Sequence, residues 1–144
     1  MNAIIIVWKG RTTMLSTNIG STAAKTRKVP EKLRPALEYI HDNLDKVPSI
    51  EQMSKLTGFS PSYFSRSFRK VMDENFVNYV NRVKIEHAVE MLKNGNKSIN
   101  TIAEELGYTD ASYFIKVFKR YTGTTPLSFR RRGVRMSTGN SSLY

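Results

Sequence analysis

Two runs of this chain place small polar residues and cations at the spacing of one helical face: Ser62, Ser65, Arg66 and Arg69 in the first, and Ala111, Ser112, Ile115, Lys116 and Lys119 in the second. Their chemistry is recognition rather than reaction. Hydroxyls beside cations suit a surface crowded with hydrogen-bond acceptors and anionic oxygens, such as a DNA groove bordered by phosphates. Taken singly, Arg66 or Lys116 could be an ordinary solvated charge. Arg66 aligns with Lys116, however, and Arg69-Lys70 with Lys119-Arg120, and this recurrence favours contact. No reactive side chains stand in a working arrangement. The chain has no cysteine, hence no disulfide, thiolate nucleophile or cysteine-ligated metal. His41 and His87 fall on different predicted helices without a second ligand at the usual spacing, and both read as satisfied or solvent-facing. There is no phosphate-binding glycine loop, Gly-x-Ser-x-Gly elbow or carboxylate pair with an evident task. The sequence therefore predicts no enzyme, no cofactor and no metal site.

The two runs sit inside a repeat of about 25 residues, found once from Ile50 to Phe76 and again from Ile99 to Pro126. Gly58 pairs with Gly107, Phe59 with Tyr108, Tyr63-Phe64 with Tyr113-Phe114 and Phe68 with Phe118, one extra residue standing in the second turn. Two copies are too few for a solenoid, so the repeat reads as one working module used twice. Its punctuation is helical. Ser49 and Gln52 form a capping box, and Gly58 stops a short first helix. Ser60-Pro61 then starts a second helix after a short glycine-containing turn, the pattern of a helix-turn-helix. In the second copy Asp110 or Thr109 takes the capping place. Phe64 with Phe68, and Phe114 with Phe118, lie four apart and read as core residues, which leaves the polar and basic face outward.

The 144 residues suit one domain or two very small ones, and 23 Lys+Arg against 12 Asp+Glu give a formal charge of +11, favouring a polyanionic partner. The excess is concentrated. Residues 1–30 hold five basic residues and no acid, residues 111–144 hold seven and none, and no acid occurs between Gln52 and Met72. The run Arg130, Arg131, Arg132 adjoins the second polar helix and reads as a phosphate clamp more readily than as a solvated helix end.

The rest of the chain supplies scaffold. Leu33, Leu37, Ile40 and Leu44 form the stripe of an amphipathic helix ending near Asn43-Leu44-Asp45, expected to pack on the first module. Phe76 to Lys93 lacks Gly and Pro and predicts a connecting helix, with Val77, Val80, Ile85, Ala88 and Leu92 available for packing. The expected organisation is a disordered or linker-like tail at 1–30, a first lobe at 31–75, a connecting helix at 76–94, a second lobe at 95–133 and a tail at 134–144. Ile4-Ile5-Ile6-Val7-Trp8 is far too short to span a bilayer, and no secretory signal pattern flanks it.

Residues 33–132 resemble the DNA-binding domain of the AraC/XylS family of bacterial transcription regulators. Ala103, Gly107-Tyr108, Ser112-Tyr113-Phe114, Phe118-Lys119-Arg120, Gly123, Pro126 and Phe129-Arg130 stand where that family's signature places them. Lys84 to Ala88 followed by Met91-Leu92 resembles its linker helix, with Lys84 where arginine is more usual. The resemblance implies an all-α fold of seven helices, two helix-turn-helix subdomains joined by a long linker helix, each lobe placing its second helix in one of two successive major grooves. Carried over, the base-reading positions are Ser62, Ser65 and Arg66 in the first lobe and Ala111, Ser112, Ile115 and Lys116 in the second, Ile115 departing from the small polar residue more usual there. Arg69, Lys70, Lys119, Arg120, Arg130, Arg131 and Arg132 are the candidate phosphate contacts. The implied partners are double-stranded DNA, bound as a monomer, and RNA polymerase, with no membrane association, in the cytoplasm at the nucleoid.

Most members of that family also carry a sensing or dimerisation domain, for which residues 1–30 are too few to build a core. The expected function is thus a stand-alone activator resembling the family's stress-response and resistance regulators, or the DNA-binding fragment of a larger ligand-sensing one. Two other classes fit the residues less well. An RNA-binding protein lacks here its aromatic stacking surface on a sheet, and a helical adaptor for acidic proteins leaves no reason for two modules to share one charged face.

Overall fold

Most helices in this chain begin where a side chain accepts a hydrogen bond from an otherwise unpaired first-turn amide. A computed structural model describes residues 3–8, 11–14, 24–27 and 29–137, with side chains described from 29 to 133. After a 3-10 turn at Glu31–Leu33 come, among the described residues, seven α-helices: α1 Arg34–Asp42, α2 Ile50–Thr57, α3 Pro61–Met72, α4 Phe76–Asn94, α5 Ile99–Glu105, α6 Ala111–Thr122 and α7 Pro126–Ser137. The Ser49–Gln52 capping box is present in both directions, at 3.0 and 3.1 Å. Ser60 caps α3 with Pro61 at its first position, Ser98 caps α5, and Asp110 rather than Thr109 caps α6. Gly58 and Gly123 end α2 and α6 in the left-handed conformation.

Two compact units result. One groups the chain up to Asp42 with Pro48–Val80, the other Asn43–Val47 with the chain from Asn81 onward. In the first, Phe64 and Phe68 of α3 meet Phe76 and Tyr79 from the start of α4, with ring centroids 5.3 to 5.7 Å apart. Leu33, Leu37, Ile40 and Met53 are buried in this unit as well. Tyr79 is almost fully buried, and its hydroxyl shares a 2.9 Å hydrogen bond with Nε2 of His41, so that histidine is satisfied. In the second unit Ile85, Ala88 and Leu92 of α4 pack with Ile102, Ala103, Leu106, Phe114, Val117 and Phe118. The repeat's aromatic pairs are core in both units, as their spacing implies.

Several sequence expectations are corrected. Helix α1 stops at Asp42, and Leu44 leaves the predicted stripe for the second unit's core, because a turn closed by Lys46 N–H to Asn43 O carries it off the helix. Val77 is largely exposed rather than packed, while Tyr79 to Ile85 are buried in unbroken succession. Helix α7 continues through Gly133 to Ser137, past the expected lobe end at 133; residues 138–144 of the predicted tail lie outside the described residues. The stretch expected as an N-terminal tail contains three strands, β1 Ala3–Trp8, β2 Arg11–Met14 and β3 Ala24–Arg27, in one sheet of order β2-β1-β3. Ile5 pairs with Met14 across the antiparallel strands, and Ile6 with Arg27 across the parallel ones. The β-branched run Ile4 to Val7 has the composition for this. The helical domain itself is all-α.

Candidate nucleic-acid interface

Helix α3 turns its aromatic pair inward and thereby fixes what faces out. Ser62, Arg66, Arg69 and Lys70 are exposed, and Ser65 is half-buried. Among the described residues no hydrogen bond or ion pair holds the guanidinium of Arg66 or Arg69, so both are available to an incoming anion. Helix α6 repeats the arrangement with Ser112, Lys116, Lys119 and Arg120 exposed and Ala111 half-buried. Each unit therefore brings its own candidate residues together on one helix. Ile115 differs from its counterpart Ser65 by packing partly against the second core.

The basic run at α7 divides. Arg131 and Arg132 are exposed, whereas Nε and Nη2 of Arg130 are enclosed without a hydrogen-bond partner, while the neighbouring Phe129 ring packs edge-on against Phe118. Arg130 must turn outward to reach a phosphate; its two neighbours need not.

Helix α4 contributes a buried lysine to the second unit. The Lys84 ammonium, 4% exposed, donates to the carbonyls of Lys46 and Leu106 at 2.6 Å each and lies 5.4 Å from the Tyr108 ring centroid. These bonds tie the segment after α1 to the turn that launches α6. Burial pulls the Lys84 pKa down to about 8, with the charge of nearby Asp45 pulling the other way. Burial also raises the Tyr108 hydroxyl above its usual range, and that hydroxyl donates to Asn81 Oδ1 at 2.9 Å. The lysine at a position where arginine was expected thus fills a compact two-carbonyl seat.

Tyr63 and Tyr113, equivalent residues to which no role attaches from the sequence, are 50% and 48% exposed on the first turns of α3 and α6. Their rings lean on the turn aromatics, Tyr63 on Phe59 at 4.8 Å and Tyr113 on Tyr108 at 6.0 Å. The available signal was their position one residue before a core phenylalanine, which turns them about 100° away from the core. No group of His, Cys, Asp or Glu among the described residues could hold a metal, and no described helix is long and apolar enough to cross a membrane.

Two helix-turn-helix units, each presenting a second helix with an exposed polar and basic face, define a DNA-binding class of domain. Residues 53–132 match the model of a helix-turn-helix domain family, and the chain belongs to the AraC-type family of transcription regulators. It is 35% identical over 116 residues to the regulatory protein PocR of Salmonella typhimurium, covering 78% of this chain and 38% of that protein. Over 82 residues it is 43% identical to YesN, a transcriptional regulatory protein of Bacillus subtilis, covering 56% of this chain and 22% of YesN. The chain thus spans less than half the length of these two relatives. Among solved structures it resembles the C-terminal domain of AraT, a response regulator from Geobacillus stearothermophilus, with 28% identity, a TM-score of 0.68, and coverage of 72% and 86% of the two chains. The DNA-binding domain of AdpA, solved in complex with a target DNA, has the same fold, at a TM-score of 0.70 and 17% identity over 78% of this chain and all of that one.

Proposed function

We propose that this chain is a sequence-specific duplex-DNA-binding transcription regulator that acts as an activator, binds as a monomer in the cytoplasm and has RNA polymerase as its protein partner. Helices α3 and α6 enter successive major grooves. Ser62, Ser65, Arg66, Ala111, Ser112 and Lys116 meet base edges, with Ile115 contributing a methyl surface at the edge of its core. Arg69, Lys70, Lys119, Arg120, Arg131 and Arg132 meet phosphates, joined by Arg130 once it turns outward.

The observation that carries this reading is the repetition of one exposed polar and basic constellation at the same helical positions of two units, on helices whose opposite faces are core. An adaptor for acidic proteins would need the charge but not the repetition. Competition among duplex DNA, RNA and an acidic polypeptide at matched ionic strength tests it, using a duplex selected in vitro by the protein from a random pool. The duplex should win by a wide margin. Arg66→Ala should cost about 1–3 kcal/mol on that duplex and relax preference at one or two base pairs, as loss of a bidentate contact to guanine does. Equal loss on selected and random duplexes would make Arg66 a phosphate contact.

A further inference from the structure

The first unit contains a hollow of about 410 Å3 beside α3. Ser65, Arg66 and Arg69 form one wall, and Asn75 to Asn78, at the start of α4, form another. Ile50, Phe76 and Val77 make the rest of the lining apolar. Two features set the chemistry of an occupant. The Asn75 side chain accepts a 2.8 Å hydrogen bond from the Asn78 amide through Oδ1, which commits its oxygen and turns its Nδ2 donors the other way. Val77, 57% exposed, offers an apolar surface next to two guanidinium groups that no described partner restrains. An occupant must therefore be anionic at one point, accept hydrogen bonds there, and carry an apolar part alongside. A phosphodiester with its attached deoxyribose has this make-up, and the hollow is continuous with the helix face assigned to DNA.

We propose that this hollow seats one phosphodiester of the DNA strand bordering the groove entered by α3. Arg69 pairs with the phosphate, the Asn75 amide donates to it, and Val77 lies against the sugar, while Arg66 at the same wall remains the base reader. The inference rests on the function proposed above and adds to the Arg69 contact two residues outside the repeated reading face, Asn75 and Val77. It gives the first unit a register device at the junction of α3 and α4.

The test uses the full chain, the duplex selected in vitro, a random duplex, and a set of selected duplexes each carrying one neutral methylphosphonate. For the unaltered protein, neutralising a single phosphate in the half read by α3 should lower affinity about tenfold, the scale of a lost charge-assisted contact. Asn75→Asp keeps the helix cap, since aspartate caps as well as asparagine, but sets a carboxylate against the phosphate. It should lower affinity about tenfold on selected and random duplexes alike, with helix content unchanged, and abolish the penalty of that one methylphosphonate. Val77→Asp, at a surface position, should do the same and guards against a folding defect at Asn75. Wild-type affinity in both variants, or reduced affinity with the methylphosphonate penalty intact, would overturn the proposal. Failure of the parent reading looks different, because the unaltered protein would then show no preference for duplex DNA at all.

Discussion

Gly58 and Gly107 hold the same place in the two repeats, yet the structure asks different things of them. Both have positive φ, 77° and 79°, a region that costs a side-chain-bearing residue about 1–2 kcal/mol. Around Gly58 there is open space for a Cβ, whereas one at Gly107 would sit 2.7 Å from the Asp45 carbonyl oxygen and 3.0 Å from Lys84 Nζ. The neighbour that must yield is backbone, held in place by the same lysine. Gly58→Ala should therefore cost about 1 kcal/mol, and Gly107→Ala about 3 kcal/mol or more, since overpacking adds to strain. Urea unfolding of the two variants checks this; equal losses would mean that the tight approach of Asp45 to Gly107 carries no energy. Ile115 makes a related point. Its departure from the usual polar residue is legible in sequence, but whether it reads or packs depends on Leu44, Phe129 and other distant residues gathered around the second core.

At the level of elements, the beginnings and ends of helices were readable because caps are local. Ser49 with Gln52, Ser60 with Pro61, and Asp110 each act within three residues of themselves. What could not be read depends on tertiary partners. Leu44 fits the α1 stripe by spacing and is removed from it by a turn, and Val77 fits a packing helix yet faces outward. The strands before Val29 follow from a β-branched run whose partners, Arg11–Met14 and Ala24–Arg27, have no apolar alternation to announce them. Lys84 joins elements in a way that pH can test. Its folded pKa is about 8 against an ordinary 10.5, so between those values the unfolded chain binds the extra proton. Stability should therefore rise as pH goes up from 8 toward 10.5, and fall as pH drops back through 8. The gain is at most about 3 kcal/mol, because the two carbonyl acceptors favour the ammonium and so work against it. The neutral amine keeps two N–H donors for those carbonyls. Lys84→Arg, which never titrates in this range, should remove the slope; parallel unfolding curves for the two proteins between pH 8 and 10 would contradict the assignment.

For the whole molecule, the distribution of charge matters more than its total. The net charge of +11 would draw any polyanion, but the cations of α3 and α6 lie on the faces that present hydroxyls. Binding to duplex DNA should weaken with salt at a log-log slope of about −0.9 for each phosphate neutralised. Arg131→Ala and Lys119→Ala should each reduce that slope by about one such step without altering sequence preference. A slope that is flat, or that neither substitution changes, would mean that these residues do not meet phosphates.

Whether both units read DNA is decided by a hydroxyl-radical footprint on the in vitro selected duplex. Two protected tracts are expected on one face, about 10–10.5 base pairs apart, the spacing of successive major grooves. Arg66→Ala should weaken protection in one tract and Lys116→Ala in the other. A single protected tract in the unaltered protein, or one tract weakened by both substitutions, would contradict it.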